Sequence, residues 1–123
     1  MTGSDGLPAL PFESSRAWRA WLEENHDSAD EVWLKIAKKS SGLASVTFGQ
    51  ALDEALCFGW IDMKKRGLDE QWYALRFTPR RPGSSWSRTN RERIERLLAD
   101  GKVHPAGRRE VDRTREAGLW GTG

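Results

Sequence analysis

Cysteine thiols and carboxylates are where covalent and acid–base chemistry would start, and this sequence places one of each in a single string, Cys57-Phe58-Gly59-Trp60-Ile61-Asp62. Cys57 falls near the end of a helical run, where the helix dipole is negative and opposes a thiolate, so it reads as an inert small core residue. Asp62 stands in an alternating run among cations. It reads as an ion-pair partner of Lys64 or Arg76, with a general base as the alternative, and it is the one catalytic candidate. His26 and His104 fall in expected loops without ligand spacing, and together with a lone cysteine they exclude zinc fingers and ribbons. No metal and no cofactor is expected.

Anion binding has more residues behind it. From residue 76 to residue 96 the chain carries Arg76, Arg80, Arg81, Arg88, Arg91, Arg93 and Arg96 against Glu92 and Glu95. The planar, forked guanidinium suits phosphates and carboxylates in a way that the point charge of lysine does not. Ser84, Ser85 and Ser87 lie where the free amides at a helix start would point, a position that favours anions. The alternative there is a plain N-cap serine, with Asn90 closing a local hydrogen bond. Trp33, Trp60 and Trp72 alternate with aliphatic residues along their strands, and so would share one sheet face with Asp62, Lys64 and Arg76. That face is either a second packing surface, covered by the third helix, or a ligand platform on which bases stack while arginines follow phosphates. The expected ligand set is Trp60, Asp62, Lys64, Trp72, Arg76, Arg80, Arg81, Ser85, Trp86, Ser87, Asn90 and Arg93.

These residues need elements to hold them. Ala17, Trp18, Trp21 and Leu22 recur as in a helix that runs from Ser14 to Asn25, with both tryptophans in the core. Residues 31–38 alternate strictly, with Val32, Leu34 and Ile36 on one face, and read as a half-buried strand. Thr47 and Gln50 have the form of a capping box, followed by Phe48, Ala51, Leu52, Ala55 and Leu56 at helical spacing, and Gly59 supplies a left-handed stop. Residues 60–66 and 71–78 alternate on either side of a short glycine-containing turn and read as an antiparallel hairpin, ended by Pro79 and Pro82. Trp86, Asn90, Ile94, Leu97 and Leu98 then mark a third helix up to Gly101. Pro105 opens a fourth helical segment, with Val111 as the apolar anchor of residues 108–116. The expectation is an α+β fold in the order α-β-α-β-β-α-(α), a small three-stranded antiparallel sheet packed on one side by the two early helices. Residues 1–11 read as a flexible leader, 12–120 as a single domain and 121–123 as a tail.

Composition limits what such a domain can be. The chain has 123 residues, of which 37% are apolar and 31% charged, and no apolar run approaches the ~20 residues that span a bilayer, so no membrane insertion is expected. The first residues have neither a basic n-region nor an apolar h-region, and a lone cysteine suits a reducing compartment; a cytoplasmic location is the expectation. The net charge of +2 hides an asymmetry. Residues 1–63 carry five Lys/Arg against ten Asp/Glu, a net −5, and residues 64–123 carry fifteen against eight, a net +7. The two halves could neutralise each other, or the second could face an anionic partner.

Several strings taken in order resemble the YdeI/OmpD-associated family, often labelled bacteriocin-protection proteins. They are Trp18-x-x-Trp21-Leu22, Val32-Trp33-Leu34-Lys35, the segment from Ala55 to Asp62, Arg76-Phe77-Thr78-Pro79-Arg80, Ser85-Trp86-Ser87-x-x-Asn90, and Gly101 with Pro105-Ala106-Gly107. The likeness runs from about Phe12 to Trp120, without the basic helical extension of longer members. It implies a stress-associated protein, linked to the cell envelope and to antimicrobial-peptide tolerance, with no established reaction. Residues and resemblance together favour a non-enzymatic binder of an anionic, ring-containing ligand such as nucleic acid. One alternative is an enzyme acting on a phosphorylated or carboxylated small molecule, in a pocket between the hairpin and the third helix built from Asp62, Arg76, Trp86 and Asn90. Another is a protein-interaction module with exposed aromatics as its hot spots.

Overall fold

Caps, turns and apolar spacing set out the chain in the order β-α-β-α-β-β-α-α, an α+β fold. The computed structural model describes residues 9–81, 83–84 and 86–120. Helix α1 (Ser15–Asn25) begins where the Ser14 hydroxyl accepts the Ala17 amide, and its spacing turns Trp18 and Leu22 into the interior. Trp21 stays half-buried at the margin, stacked on Trp18 at 5.5 Å. Helix α2 (Phe48–Cys57) carries the capping box: Thr47 accepts the Gln50 amide at 3.2 Å and Gln50 Oε1 accepts the Thr47 amide at 3.1 Å. Gly59, at φ +78°, then turns the chain into the hairpin.

Strand β1 (Ala9–Pro11) precedes α1, β2 (Val32–Ala37) lies between α1 and α2, and β3 (Trp60–Gly67) and β4 (Trp72–Pro79) form the hairpin. The sheet is four-stranded and mixed, in the order β1-β2-β4-β3, instead of three-stranded and antiparallel. The extra strand is β1, which pairs parallel to β2 across the α1 crossover. Its three residues fall within the expected leader, because a strand that short has no alternation to read. Val32, Leu34 and Ile36 of β2, with Leu75 and Phe77 of β4, meet Trp18, Leu22, Leu52, Ala55 and Leu56 of α1 and α2 to form the core. The Trp18 indole N–H donates to the Ala51 carbonyl at 3.0 Å, so the largest buried side chain keeps its polar atom satisfied.

A bulge in β3 decides what the two sheet faces carry. Asp62 pairs with Phe77 and Lys64 with Arg76, so Met63 is an extra residue on one strand only. Before the bulge, Trp60 and Asp62 lie on the helix side with Phe77. Beyond it, Lys65 takes that side, while Lys64 and Arg66 join Arg76 on the other. The expected shared face therefore splits, with Trp60 and Asp62 on the helix side and Trp33, Lys64, Trp72 and Arg76 opposite.

Helix α3 (Arg88–Ala99) does not cover that second face. It packs against α2, where Arg93 Nη1 meets Asp53 at 2.7 Å and Arg96 Nη2 meets it at 3.2 Å. Helix α4 (Pro105–Glu116) is complete in spite of its thin apolar pattern. Val111 is buried as expected, and Gly107, Glu110 and Thr114 are buried beside it.

Candidate anion-binding site

Four of the expected ligand residues stand on the sheet face that turns away from α1 and α2 or at its end: Lys64, Trp72, Arg76 and Arg81. Lys64 lies opposite Arg76, which lies opposite Trp33, so cation, cation and indole follow one another across β3, β4 and β2. Two further cations belong to this face and were not singled out from sequence. Lys35 Nζ sits 4.6 Å from the centre of the Trp72 ring, and the Arg66 guanidinium sits 5.7 Å from that of Trp33. Both were within reach of alternation, Lys35 through Trp33 and Arg66 through Lys64, which lies two residues before it with no bulge between. Arg76 Nε donates to Glu31 at 2.6 Å, an exposed pair that solvent screens.

Where the hairpin runs into the following loop, this face deepens into a groove of about 720 Å³. Arg76, Arg80 and Arg81 line it, Thr78 and Ser84 add hydroxyls, and Ile61 and Met63 give it an apolar patch. Asp30 is its carboxylate. The arrangement suits a ligand with both negative charge and a ring or other apolar surface, and among the described residues that line it no nucleophile is hydrogen-bonded to a base.

The remaining expected residues are structural or lie elsewhere. Trp60 is buried against Trp21, edge to face at 6.0 Å, and its N–H donates to the His26 carbonyl at 3.4 Å. Trp86 is fully buried and donates to Thr114 Oγ1 at 3.2 Å. Arg80 turns inward over Trp86, its guanidinium carbon 4.2 Å from the ring centre, with Nε 3.8 Å from Glu110. Burial lowers the Arg80 pKa from its usual value, and Glu110 opposes that shift. Glu110 also pairs with Arg113, so two cations share one buried carboxylate. Ser87 is the N-cap of α3 and accepts the Asn90 amide at 3.2 Å, which is the structural alternative for that pair. Arg93 is held by Asp53. Ser85 lies outside the described residues.

Asp62 and Arg76 point from opposite faces and Trp86 is closed off, so the four residues of the expected enzyme pocket do not converge. Among the described residues Asp62 makes no ion pair; Arg76 is taken by Glu31, and the expected pairing fails because the bulge separates the two sides. Burial, followed by the nearby Glu54, pushes the Cys57 thiol up to about 11, so it stays protonated and unreactive near neutral pH. Among the described residues no group of three His, Cys, Asp or Glu side chains is placed to hold a metal. Sequence reasoning missed that His26 and His104 meet, with ring centres 4.9 Å apart, both against Phe58.

A family described as a domain of unknown function, DUF8412, matches residues 10–110. The chain belongs to that family. The DUF8412 stretch runs from within β1 into α4 and takes in all of the sheet but Ala9, the arginine groove and both partners of the Arg80–Glu110 pair. No curated protein and no solved structure matches the chain. Among the described residues no helix is long and apolar enough to cross a membrane.

Proposed function

We propose that the protein is a non-enzymatic binder of single-stranded nucleic acid. The observation that carries this reading is the groove lined by Arg76 and Arg81 together with Ile61 and Met63, continued along the sheet by Lys64, Lys35 and Trp72. Trp72 lies four residues along β4 from Arg76, about 13 Å at the rise of a strand. Cations and an indole spread over that length suit a polymer of phosphates and bases better than a single small anion. The absence of a converged nucleophile and base among the described residues supports binding over catalysis. A cytoplasmic location and kinship with the YdeI/OmpD-associated proteins, on the strings from Ala55 to Asp62 and from Ser85 to Asn90, belong to the same proposal.

Fluorescence anisotropy of labelled oligo(dT) and of a duplex, at two salt concentrations, tests it. Single strands bind more tightly than duplex, affinity falls as salt rises, and tryptophan emission is quenched. Arg76→Ala combined with Arg81→Ala lowers the salt slope by about 1.4, at about 0.7 for each phosphate of a single strand that is no longer neutralised. Absent binding, or binding indifferent to salt, overturns the proposal.

A further inference from the structure

The bulge in β3 opens a second groove, on the helix side of the sheet edge, which borders the arginine groove at Met63 and shares Lys64 with the nucleic-acid face. Met63 at the bulge is 55% exposed, and Phe48 at the start of α2 is 42% exposed. They flank a groove of about 500 Å³ floored by Tyr73 and Leu75. Phe48 and Tyr73 also border a smaller hollow of about 190 Å³ that reaches Leu43, itself 43% exposed. Three of the five exposed large apolar side chains among the described residues thus fall on one continuous track. Apolar side chains gathered in this way mark a docking surface more often than scattered ones do.

Charge says what would dock. Lys64 and Lys65 stand at the Met63 end, with Lys65 Nζ 4.6 Å above the Tyr73 ring, and Lys38 and Lys39 stand at the Leu43 end. The carboxylate lining the track is Asp62. We propose that this track docks an extended acidic segment of a partner protein, with a bulky apolar side chain seated between Phe48 and Met63 and carboxylates at the two lysine pairs.

A second copy of this chain fits poorly. Related by a two-fold axis at the edge strand, the run Lys64-Lys65-Arg66 would face itself, and like charges opposite each other are destabilising. The bulge and the lysines also oppose simple extension of the ladder at β3, so the segment is held by its side chains in the groove.

Selection of a random dodecapeptide display library against the full chain tests this, followed by anisotropy of a labelled selected peptide. Enriched peptides carry Asp or Glu around a bulky apolar residue. Phe48→Ser weakens their binding by at least about tenfold, and so does Lys64→Glu combined with Lys65→Glu. Phe48 and Met63 lie outside the buried core, so the circular dichroism spectrum is retained; Met63→Ser is the second variant at the same groove and gives the same loss. No enrichment, enriched peptides without acidic residues, or binding that survives both apolar substitutions overturns the proposal. Failure of oligo(dT) to bind at all bears on the arginine groove alone.

Discussion

Gly107 is where α4 comes closest to the rest of the fold, and replacing it with alanine puts a number on how the helix is docked. A Cβ at this position would stand 2.3 Å from the Cys57 carbonyl oxygen, 2.6 Å from its carbon and 2.9 Å from the Leu56 oxygen, all backbone atoms. Ordinary contact begins near 3.4 Å, so α4 must withdraw by about 1 Å. The same Cys57 oxygen accepts the His104 amide at 2.9 Å, and the Trp86–Thr114 bond at 3.2 Å ties α4 to the residues preceding α3. Overpacking costs about 1 to 3 kcal/mol and a strained hydrogen bond about 1 kcal/mol, against a gain of about 1 kcal/mol from alanine's helix propensity. Gly107→Ala therefore loses about 2 kcal/mol in urea unfolding followed by tryptophan fluorescence. Gly49, in the first turn of α2, has only open space within 4 Å of the place an alanine methyl would take, and Gly49→Ala gains about 0.5 kcal/mol. A Gly107→Ala protein as stable as the parent, or equal effects at the two glycines, would refute the reasoning.

Two further outcomes follow from buried or capping groups. Arg80→Ala removes the guanidinium over Trp86 and leaves Glu110 with Arg113 alone, so it costs about 3 kcal/mol of stability, whereas the exposed Arg81→Ala stays within about 0.5 kcal/mol; paired urea curves separate them. His104 Nδ1 accepts the Ala106 amide at the start of α4, and burial, then His26 and Arg19, hold the His104 pKa below its usual value. The unfolded chain then takes up the proton first. The stability due to neutral His104 is complete above roughly pH 6.5 and is lost as the pH falls from there towards the folded pKa. His104→Asn caps without titrating, and its urea midpoint falls less than the parent's between about pH 7.5 and about pH 5.5; equal falls would remove His104 as the cause.

The sequence carried the α+β class and the helix boundaries because their signals are local. Ser14, the Thr47–Gln50 box and Gly59 each act within one turn of the residue that reads them. The fourth strand escaped because its pairing with β2 is specified by contacts across α1 and not by anything within Ala9–Pro11. The firm structure of α4 was half legible. A glycine inside a weak helical pattern signals close backbone approach, and Gly107 makes one, but the buried Glu110 looks like any surface residue until Arg80 turns inward beneath it.

The site was misread for two physical reasons, a shift of register and the engagement of arginines within the chain. Alternation assigns a strand's faces only while the register holds, and one extra residue at Met63 reverses every assignment on one side of it. That reversal moved Trp60 and Asp62 into the helix side, while Lys64 and Arg66 kept the face with Arg76 that alternation gives them. The density of arginine between residues 76 and 96 was likewise real but divided in use. Arg93 and Arg96 neutralise Asp53 of the acidic half, Arg80 is committed to Glu110, and Arg88 pairs with Glu92 on its own helix. Two carboxylates of the acidic half thus pair with the basic half, Asp53 where α3 docks on α2 and Glu31 on Arg76. Arg81 and Lys64 make no ion pair among the described residues, and they flank the same groove and face as Arg76 and Trp72. Counting cations along the sequence overstates an anion site; those on this groove and face with no carboxylate partner or only a solvent-screened one, Arg81, Lys64 and Arg76, are the set whose removal should change binding while leaving the fold intact.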